Sequence, residues 1–568
     1  MTKELNATVA ERLAAALQRH GVDVMFSQSI PSTLILAAED SGIRQIVYRA
    51  ENAGGAMADG YARATGRIGV VTAQNGPAAT LLVAPFAEAL KASIPLLGLV
   101  QDVDRPSMDR NAFQEFDHFK LFDGCAKWVR RLTDPARVDD YLDMAIQAAT
   151  SGRPGPVVLL LPVDLLNQPA EAPRFARTAT LGEWPLDRFG PDPSRIAAAA
   201  DLLATAERPV ILAGGGIHAS QAANELAALQ DFAHLPVGYT MMGKGSVSDL
   251  HPLTLGLMAN VVGKRSLGRH ARALVDEADV ILLVGNRTNQ NGTNSWTSIP
   301  EGARIIHVDV DGQELGRTYE PAVRLLGDAK LTLSALTERL ATCDLSKRRA
   351  ARAAISERIA GFRALWADET KSVRDPGKHP IRPEQVMAAI DQQLPDDAIL
   401  VADASYSSLW INAFIRARTA GQRFITPRGI AGLGWGYPMA LGAQSGRPGV
   451  PIICVVGDGG FGHCWSELET AARAGLPVKL IILNNSVLGF QKDSEIAKLG
   501  RYTRACHFNL VDHAAIARAC GVEAQRIDDG NDVVTRLAEA LAYDGPVLLD
   551  IITDPDAFPP ISLLDALA

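Results

Sequence analysis

Apolar runs of strand length alternate with helical stretches in three blocks along the chain. Long apolar runs separated by helices are typical of strands buried on both faces of a parallel sheet. The sequence therefore predicts an α/β fold with three doubly wound parallel-sheet domains, at 1–170, 190–345 and 375–568. The predicted strands are 68–73, 94–100 and 156–161 in the first block, 209–213, 280–284 and 304–310 in the second, and 398–402, 450–456, 478–483 and 546–552 in the third.

Composition and charge exclude several classes of protein. The 568 residues are 47% hydrophobic and carry a net charge of −8, so a disordered chain and a basic nucleic-acid-binding or membrane-binding surface are not expected. No apolar stretch is long enough to cross a bilayer. The six cysteines include no CxxC pair, which indicates a reducing cytoplasm and no structural zinc.

Three segments outside the predicted strands have a structural interpretation. Residues 1–19 form an amphipathic pattern without the apolar core of a signal peptide, so a first helix is expected there. The poorly periodic segment 167–194 is predicted to be a linker, and the charged segment 347–371 a helical connector.

A glycine-rich turn, Gly457-Asp458-Gly459-Gly460, follows one strand of the third block. Such a turn before a helix, predicted at 463–474, exposes backbone N–H groups that suit phosphate oxygens. The next strand ends at Asn484-Asn485, so a carboxylate and an amide should share the carboxyl edge of one sheet. With a backbone carbonyl, water and phosphate oxygens they would complete a magnesium site. A plain turn and a nucleotide site are the alternatives, although no GxxxxGK[ST] motif occurs.

The Gly-Asp-Gly turn is followed, after residues 460–483, by Asn-Asn. This spacing is similar to the fingerprint of thiamine-diphosphate-dependent enzymes. The resemblance implies that Mg²⁺ is bound by the side chains of Asp458 and Asn485 and by the carbonyl of Val487. It places the cofactor diphosphate beside the glycine turn and beside the serines that follow strand 398–402, for which a solvated turn is the alternative. The cofactor-binding residues implied in this domain are Ser405, Tyr406, Ser407, Gly457, Asp458, Gly459, Gly460, Asn485, Val487, Leu488 and Gly489.

Glu51 lies between a strand-like run at 45–48 and a helix of small residues. Taken alone, it is an acid at a helix N-terminus. The segment from residue 49 to residue 80 resembles the pyrimidine-binding domain of the same family. That resemblance implies that Glu51 hydrogen-bonds the aminopyrimidine ring and promotes the imino tautomer, which removes the thiazolium C2 proton. The resulting ylid would attack a carbonyl, and the thiazolium would act as an electron sink. Asn75 and Gly76 are then expected at the cofactor.

A third matching segment is 429–438, which reads GIAGLGWGYP. Leu433 matches the bulky apolar residue that props the cofactor into its bent shape in this family, and Gly429 is expected to contact the cofactor. For Leu433 alone, the alternative is an ordinary core leucine before a helix.

The resemblance covers almost the whole chain and is closest to the acetolactate-synthase-like branch. It implies pyrimidine-binding, central Rossmann-like and diphosphate-binding domains in that order. It also implies that Phe113 and Gln114 face the site from a partner subunit in a homodimer or homotetramer. Gln491 and Glu495, in the loop after Asn485, are weaker candidates for substrate contacts.

The central domain carries a further motif of that branch. Gly214, Gly215, Gly216, Gly285 and Arg287 resemble its dinucleotide-binding edge, where ADP, FAD or no nucleotide is expected. The polar run 288–292 after Arg287 lacks the acidic residues usual near a flavin, which argues against FAD. Ala50 also replaces the usual histidine before the glutamate.

The function predicted on this basis is a thiamine-diphosphate- and Mg²⁺-dependent carboligase or lyase. It would act on a 2-oxo acid or a 2-hydroxy carbonyl compound. The segments 242–245 and 287–289 also resemble 2-hydroxyacyl-CoA lyases and oxalyl-CoA decarboxylases, so a CoA-thioester enzyme is the first alternative. The short acidic tail after Ile552 argues against CoA binding. A non-catalytic cofactor-binding paralogue is a more remote alternative.

Overall fold

Three six-stranded sheets follow one another along the chain in a computed structural model that describes residues 7–170, 175 and 177–567. All strand pairs within the three sheets are parallel, and helices cover the faces of each sheet. The predicted fold class, an α/β protein with three parallel-sheet domains, is confirmed. Among the described helices, none is long and apolar enough to cross a membrane. All six cysteines lie in the described part of the chain and all are free thiols.

The first domain has the strand order β2-β1-β3-β4-β6-β5. Its strands are Val24–Ser27 (β1), Arg44–Val47 (β2), Gly69–Ala73 (β3), Leu96–Asp102 (β4), Trp128–Arg131 (β5) and Val157–Pro162 (β6). Its helices are Val9–Arg19 (α1), Ser32–Asp40 (α2), Glu51–Thr65 (α3), Pro77–Leu81 (α4), Val83–Ala92 (α5), His118–Asp123 (α6), Val138–Thr150 (α7) and Val163–Leu166 (α8).

The second domain has the order β12-β11-β10-β7-β8-β9. Its strands are Pro209–Ala213 (β7), Val237–Tyr239 (β8), Thr254–Leu257 (β9), Val280–Val284 (β10), Arg304–Asp309 (β11) and Val323–Leu326 (β12). Its helices are Pro193–Thr205 (α9), Gly216–Ala219 (α10), Ala223–Phe232 (α11), Leu267–Asp276 (α12) and Ala329–Leu340 (α13). The long helix Ser346–Thr370 (α14) connects it to the third domain.

The third domain has the order β14-β13-β15-β16-β18-β17. Its strands are Ile399–Ala402 (β13), Phe424–Ile425 (β14), Ile452–Gly457 (β15), Lys479–Asn484 (β16), Glu523–Ile527 (β17) and Val547–Ile552 (β18). Its helices are Pro383–Gln393 (α15), Tyr406–Phe414 (α16), Gly436–Gly446 (α17), Asp458–Phe461 (α18), Glu467–Ala474 (α19), Gly489–Leu499 (α20), His513–Ala519 (α21) and Val533–Ala542 (α22).

Two predicted helices begin later than the sequence pattern indicated. The helix expected at 463–474 begins at Glu467, because α18 forms a separate turn directly on the glycine-rich segment and the chain turns again before α19. The first helix begins at Val9, where Thr8 and Glu11 form a capping box, and residues 1–6 lie outside the described part.

Helices α3 and α17 join the first and third domains at backbone-to-backbone distance. A Cβ atom on Gly60 would clash with the carbonyl of Met439, and one on Gly442 would clash with the carbonyl of Met57. The same hydrophobic core contains Met57 from α3 and Met439 from α17. Glycine is required at both crossings because no side chain fits between the helices.

Substitution of Gly60 by alanine is expected to lower the free energy of unfolding by about 1–3 kcal/mol, because the added methyl group forces the two backbones apart. Gly361 is the matched control, since it is exposed within α14 and nothing lies within 4 Å of its Cβ position. Gly361→Ala is expected to be neutral or stabilising by about 0.5–1 kcal/mol. Urea unfolding of both variants measures the difference. Equal effects would show that α3 and α17 are not tightly packed.

Candidate active site

A cleft lies at the carboxyl edge of the third sheet, where β13, β15 and β16 end. The glycine turn, the serine turn and the segment after Asn485 all line it, as the sequence motifs predict. The predicted residues among those that line the cleft are Ser405, Tyr406, Ser407, Leu433, Gly457, Asp458, Gly459, Gly460, Asn485, Val487, Leu488 and Gly489.

Asp458 and Asn485 present oxygen atoms at this cleft. Asp458 is 8% exposed, and one carboxylate oxygen accepts a hydrogen bond from the Ser486 amide at 3.0 Å. Burial raises the pKa of Asp458 to about 6. The Asn485 side-chain oxygen accepts from the Val487 amide at 3.2 Å. The carboxylate and the amide are therefore held against the same short turn.

Backbone contacts with a second segment fix the position of Val487. The Leu488 amide donates to the Cys506 carbonyl at 2.8 Å, and the Phe508 amide donates to the Ser486 carbonyl at 2.9 Å. Val487 and His507 form an isolated β-bridge between these two segments. The Val487 carbonyl thus belongs to a segment that backbone hydrogen bonds hold in place at the cleft.

The donor set of the cleft suits a hard cation. The predicted ligands are one carboxylate, one amide oxygen and one backbone carbonyl, and Mg²⁺ commonly takes a few such protein oxygens together with phosphate oxygens and water. The second carboxylate that lines the cleft, that of Asp403, is bonded to backbone amides. In the described part of the chain, no group of three or more His, Cys, Asp and Glu side chains is arranged to hold a metal ion. The residues present therefore fit Mg²⁺ bound jointly with a diphosphate.

Two helices begin at the cleft and direct backbone amides into it. Gly459 and Gly460 lie in the first turn of α18, and Tyr406 and Ser407 in the first turn of α16, so their N–H groups have no earlier turn to donate to. Ser405 turns the chain with a φ of 66°. The Ser407 hydroxyl donates to the carbonyls of Asp403 and Ala404, so the backbone amides of this turn are the available anion donors.

Two buried carboxylates hold the loop that carries Leu433. Asp403 accepts from the amides of Gly434, Trp435 and Gly436 at 2.8, 3.1 and 3.1 Å. Glu88, on α5 of the first domain, accepts from the amides of Gly429, Ile430 and Ala431 at 2.7, 2.7 and 3.2 Å. Leu433 is 36% exposed and lines the cleft, whereas Gly429 contacts Glu88 and does not line it.

Sequence reasoning did not identify Asp403 or Glu88. Glu88 is fully buried beside Arg63, which also pairs with Asp59 at 2.6 Å. One signal was available, because an acidic residue directly after a strand, or within an otherwise apolar helix, needs a partner when it is buried. The amides that Asp403 binds lie 31 to 33 residues further along the chain, and those that Glu88 binds lie 341 to 343 residues further along.

Glu51 is the first residue of α3 and is half-buried. The two residues before it are anchored to the third domain, since the amides of Arg49 and Ala50 donate to the Glu467 carboxylate at 3.1 and 3.2 Å. Burial, together with the charges of Glu51 and Glu467, raises the pKa of Tyr48. The start of α3 is therefore rigidly placed, and the Glu51 side chain remains partly accessible.

Gln114 is packed against the loop that follows β3. Gln74 donates to the Gln114 side-chain oxygen at 2.8 Å, and Asn75 donates to the Gln114 carbonyl at 3.0 Å. The Gly76 amide donates to the His118 ring at 3.1 Å. The structure therefore brings Asn75, Gly76 and Gln114 together. Phe113, next to them, is 85% exposed.

These first-domain residues are separate from the cleft within a single chain. Glu51, Asn75, Gly76 and Gln114 do not occur among the described residues that line it. Gln491 and Glu495 do not line it either. The Gln491 side-chain amide donates to the Glu495 carboxylate at 2.7 Å, and Glu495 also accepts from the Thr503 amide. Within one chain, the residues predicted for the site therefore fall into two groups, the two partial sites of the predicted active site.

A second cleft of about 1210 Å³ lies at the carboxyl edge of the central sheet. All five residues of the predicted nucleotide edge line it: Gly214, Gly215, Gly216, Gly285 and Arg287. A Cβ on Gly214 or on Gly216 would clash with Gly285, so the two loops meet backbone to backbone. Burial raises the pKa of Asp309, at the end of β11, to about 6. Burial also lowers the pKa of Arg287.

Three family models match the chain in the order of its three sheets. The thiamine pyrophosphate enzyme N-terminal TPP binding domain matches 7–121, the central domain 196–336 and the C-terminal TPP binding domain 403–551. The chain belongs to the thiamine pyrophosphate enzyme family. Thiamine pyrophosphate is another name for thiamine diphosphate, so the cofactor class predicted from the fingerprint is confirmed.

Relatives of this thiamine pyrophosphate enzyme match along nearly its full length. A probable acetolactate synthase large subunit of Methanococcus aeolicus is 32% identical over 96% of this chain and 92% of its own. The acetolactate synthase large subunit of Parasynechococcus marenigrum is 33% identical over 95% and 87%, respectively. The acetolactate synthase isozyme 2 large subunit of Escherichia coli is 29% identical over 96% and 95%.

These similarities place the thiamine pyrophosphate enzyme in the acetolactate-synthase-like branch. The predicted branch and enzyme class, a thiamine-diphosphate-dependent decarboxylating carboligase, are thereby confirmed. The individual roles of the cleft residues stay predictions.

Proposed function

We propose that the enzyme decarboxylates a 2-oxo acid and joins the remaining fragment to a second carbonyl compound. The observation that carries this proposal is the cleft at the carboxyl edge of the third sheet, where the fingerprint residues meet beside the braced Leu433 loop. The names of the relatives, which are acetolactate synthases, support a 2-oxo acid as the donor. When bound, thiamine diphosphate supplies a nucleophilic carbon and an electron sink for this chemistry.

The protein residues proposed to hold the cofactor act through oxygen and amide groups. Asp458, Asn485 and the Val487 carbonyl bind Mg²⁺, which neutralises the diphosphate. The amides that open α16 and α18 donate to phosphate oxygens. Leu433, which lines the cleft, would prop the cofactor into its bent shape. Gly457 leaves room for this arrangement, since no described atom lies within 4 Å of its Cβ position.

A complete site is proposed to need two copies of the chain, as a homodimer or homotetramer. Glu51 would then hydrogen-bond the aminopyrimidine of the cofactor held by the partner and exchange its proton. Gln114 would contact the substrate from the same side. The separation of these residues from the cleft within one chain supports this arrangement. Exposed apolar side chains near both partial sites, such as Phe113 and Ile430, support it as well.

The central cleft is proposed to bind an adenine nucleotide, ADP or FAD. The glycine loops allow close approach of a phosphate, and Arg287 and Arg153 add positive charge at the cleft. None of the steps proposed above depends on which of the two nucleotides is bound. A cytoplasmic location is proposed as well, and the six free thiols support it.

The experiment that tests the function is turnover of the cofactor-loaded enzyme with separate donors, followed by mass spectrometry of the products. Pyruvate and other 2-oxo acids are expected to release CO₂ and to yield a 2-hydroxy ketone or an acetohydroxy acid. A 2-hydroxyacyl-CoA and oxalyl-CoA form the second arm. Turnover of the CoA compounds alone would replace the proposal with a CoA-thioester lyase or decarboxylase.

A non-catalytic role is distinguished in the same experiment. Alongside turnover, binding of thiamine diphosphate is measured from the quenching of the protein's fluorescence. Tight binding with no turnover of any donor would indicate a cofactor-binding paralogue.

A further inference from the structure

A third pocket, of about 930 Å³ including space open to solvent, lies where the three domains meet and is called the junction cavity. The end of α3 contributes from the first domain and α10 from the second. The segment before β14 and the end of α17 contribute from the third. It adjoins the nucleotide cleft, and Ala219 is the one residue that lines both. The cofactor cleft and this cavity have no lining residue in common.

Three arginines line this cavity, and no aspartate or glutamate does among the described residues. Arg63 is already paired, with Asp59 at 2.6 Å and Glu88 at 3.4 Å. The Arg447 Nε donates to the Ala64 carbonyl at 2.9 Å, and the part of the chain that the structure describes provides it with no carboxylate. Arg447 is exposed to solvent at the cavity, and no described carboxylate pairs with its charge.

Arg423 has still fewer partners. Its guanidinium makes no hydrogen bond and no ion pair with any described residue. Burial and the positive charges of Arg63 and Arg447 lower its pKa to about 10. Arg423 is half-buried and lines the cavity, and no described residue partners its five donors. A guanidinium placed in this way is available to bind a carboxylate or a phosphate.

The remaining polar groups at the cavity add no compensating negative charge. His218 is neutral, since burial lowers its pKa to about 3, and its Nε2 donates to the Lys244 carbonyl at 2.8 Å. The Gln221 side-chain amide donates to the Trp184 carbonyl at 2.9 Å. The cavity is thus roomy, polar and positively charged.

We propose that this junction cavity binds a small oxyanion, a phosphate or a carboxylate, through Arg423 and Arg447. The planar guanidinium fork matches both chemistries in a bidentate manner. An anion between the two arginines would also relieve their mutual repulsion, so that binding stabilises the folded chain. The proposal is independent of the proposed reaction, since none of these residues lines the cofactor cleft.

The test is thermal unfolding of the holoenzyme, saturated with thiamine diphosphate and Mg²⁺ so that the diphosphate site is filled. Inorganic phosphate and malonate are titrated separately, against sodium chloride at equal ionic strength. A saturable rise in Tm with either anion is expected, and the arm that responds identifies phosphate or carboxylate as the ligand. Arg423→Gln and Arg447→Gln are each expected to raise the apparent Kd at least about tenfold.

Two control variants separate this cavity from other anion sites. Arg287→Gln alters the nucleotide cleft, and Arg195→Gln removes an exposed arginine at the start of α9. Both are expected to keep the full response to the anion. Loss of the response in Arg287→Gln alone would place the anion in the nucleotide cleft and overturn the proposal.

A second measurement tests whether Arg423 has only a structural role. In chloride buffer, Arg423→Gln is expected to have a higher Tm than the wild type, because a half-buried charge repelled by Arg63 and Arg447 has been removed. A lower Tm of this variant, with no saturable anion response in the wild type, would show that Arg423 is structural. Equal responses of the wild type and both cavity variants would also overturn the proposal.

Discussion

Replacement of Glu51 by glutamine is expected to slow exchange of the cofactor's C2 proton about 10²–10⁴-fold, the range typical of a lost general acid–base group. Glutamine keeps the size of the side chain and can still hydrogen-bond, but it cannot take up and return a proton. Cofactor affinity should remain, because the residues proposed to bind Mg²⁺ and the diphosphate lie on the third domain. Acid-quenched deuterium exchange, read by proton NMR, measures this rate without any substrate.

The control for this variant is Glu39→Gln, at the exposed end of α2 in the same domain. It removes the same carboxylate from a position that touches neither partial site, so its exchange rate should equal that of the wild type. An unchanged rate in Glu51→Gln would remove the proposed proton-exchange role from Glu51. A rate lowered equally in both variants would indicate a general loss of structure.

Asp458→Ala is expected to abolish Mg²⁺-dependent binding of thiamine diphosphate. Asp458 is the one carboxylate of the proposed ligand set, so its loss leaves a dianionic or trianionic diphosphate facing neutral amides and carbonyls. Isothermal titration calorimetry with and without Mg²⁺ measures the effect directly. The wild type should show strong dependence on the metal ion, and the variant should show none.

The matched control is Asp544→Ala, which removes an exposed carboxylate of the same domain. Thermal unfolding without cofactor accompanies the titrations, because it separates loss of binding from loss of fold. Removal of a buried, partly hydrogen-bonded carboxylate should not by itself unfold the domain. Tight, metal-dependent binding retained in Asp458→Ala would contradict the assigned ligand set.

Most inner strands could be predicted from the sequence, with β1 and β8 as the exceptions, whereas among the edge strands only β2 was indicated, by the run 45–48. Strands such as β10 and β16 are buried along their entire length, so they appear as continuous apolar runs. The edge strands β5 and β17 mix exposed and buried positions in four or five residues. Their pattern resembles ordinary loop sequence, because only pairing with a neighbour makes them strands.

The site residues also divide into those that could be predicted from the sequence and those that could not. Asp458 and Asn485 could be found because a motif places each of them directly after a strand of one sheet. Glu88 could not, since its role depends on three amides more than 300 residues away. The junction cavity was not predictable either, because Arg63, Arg423 and Arg447 come together only when three domains are packed.

The crossing of α3 and α17 also bears on how such a protein can be recombined. The first and third domains share one continuous hydrophobic core, and their helices touch through carbonyls and glycines rather than through adaptable side chains. A contact surface of that kind cannot adapt to a helix of different sequence. A chimera that takes its first domain from a distant relative would have to take the matching helix of the third domain too. The sequences of the two helices therefore constrain each other, although a whole domain separates them in the chain.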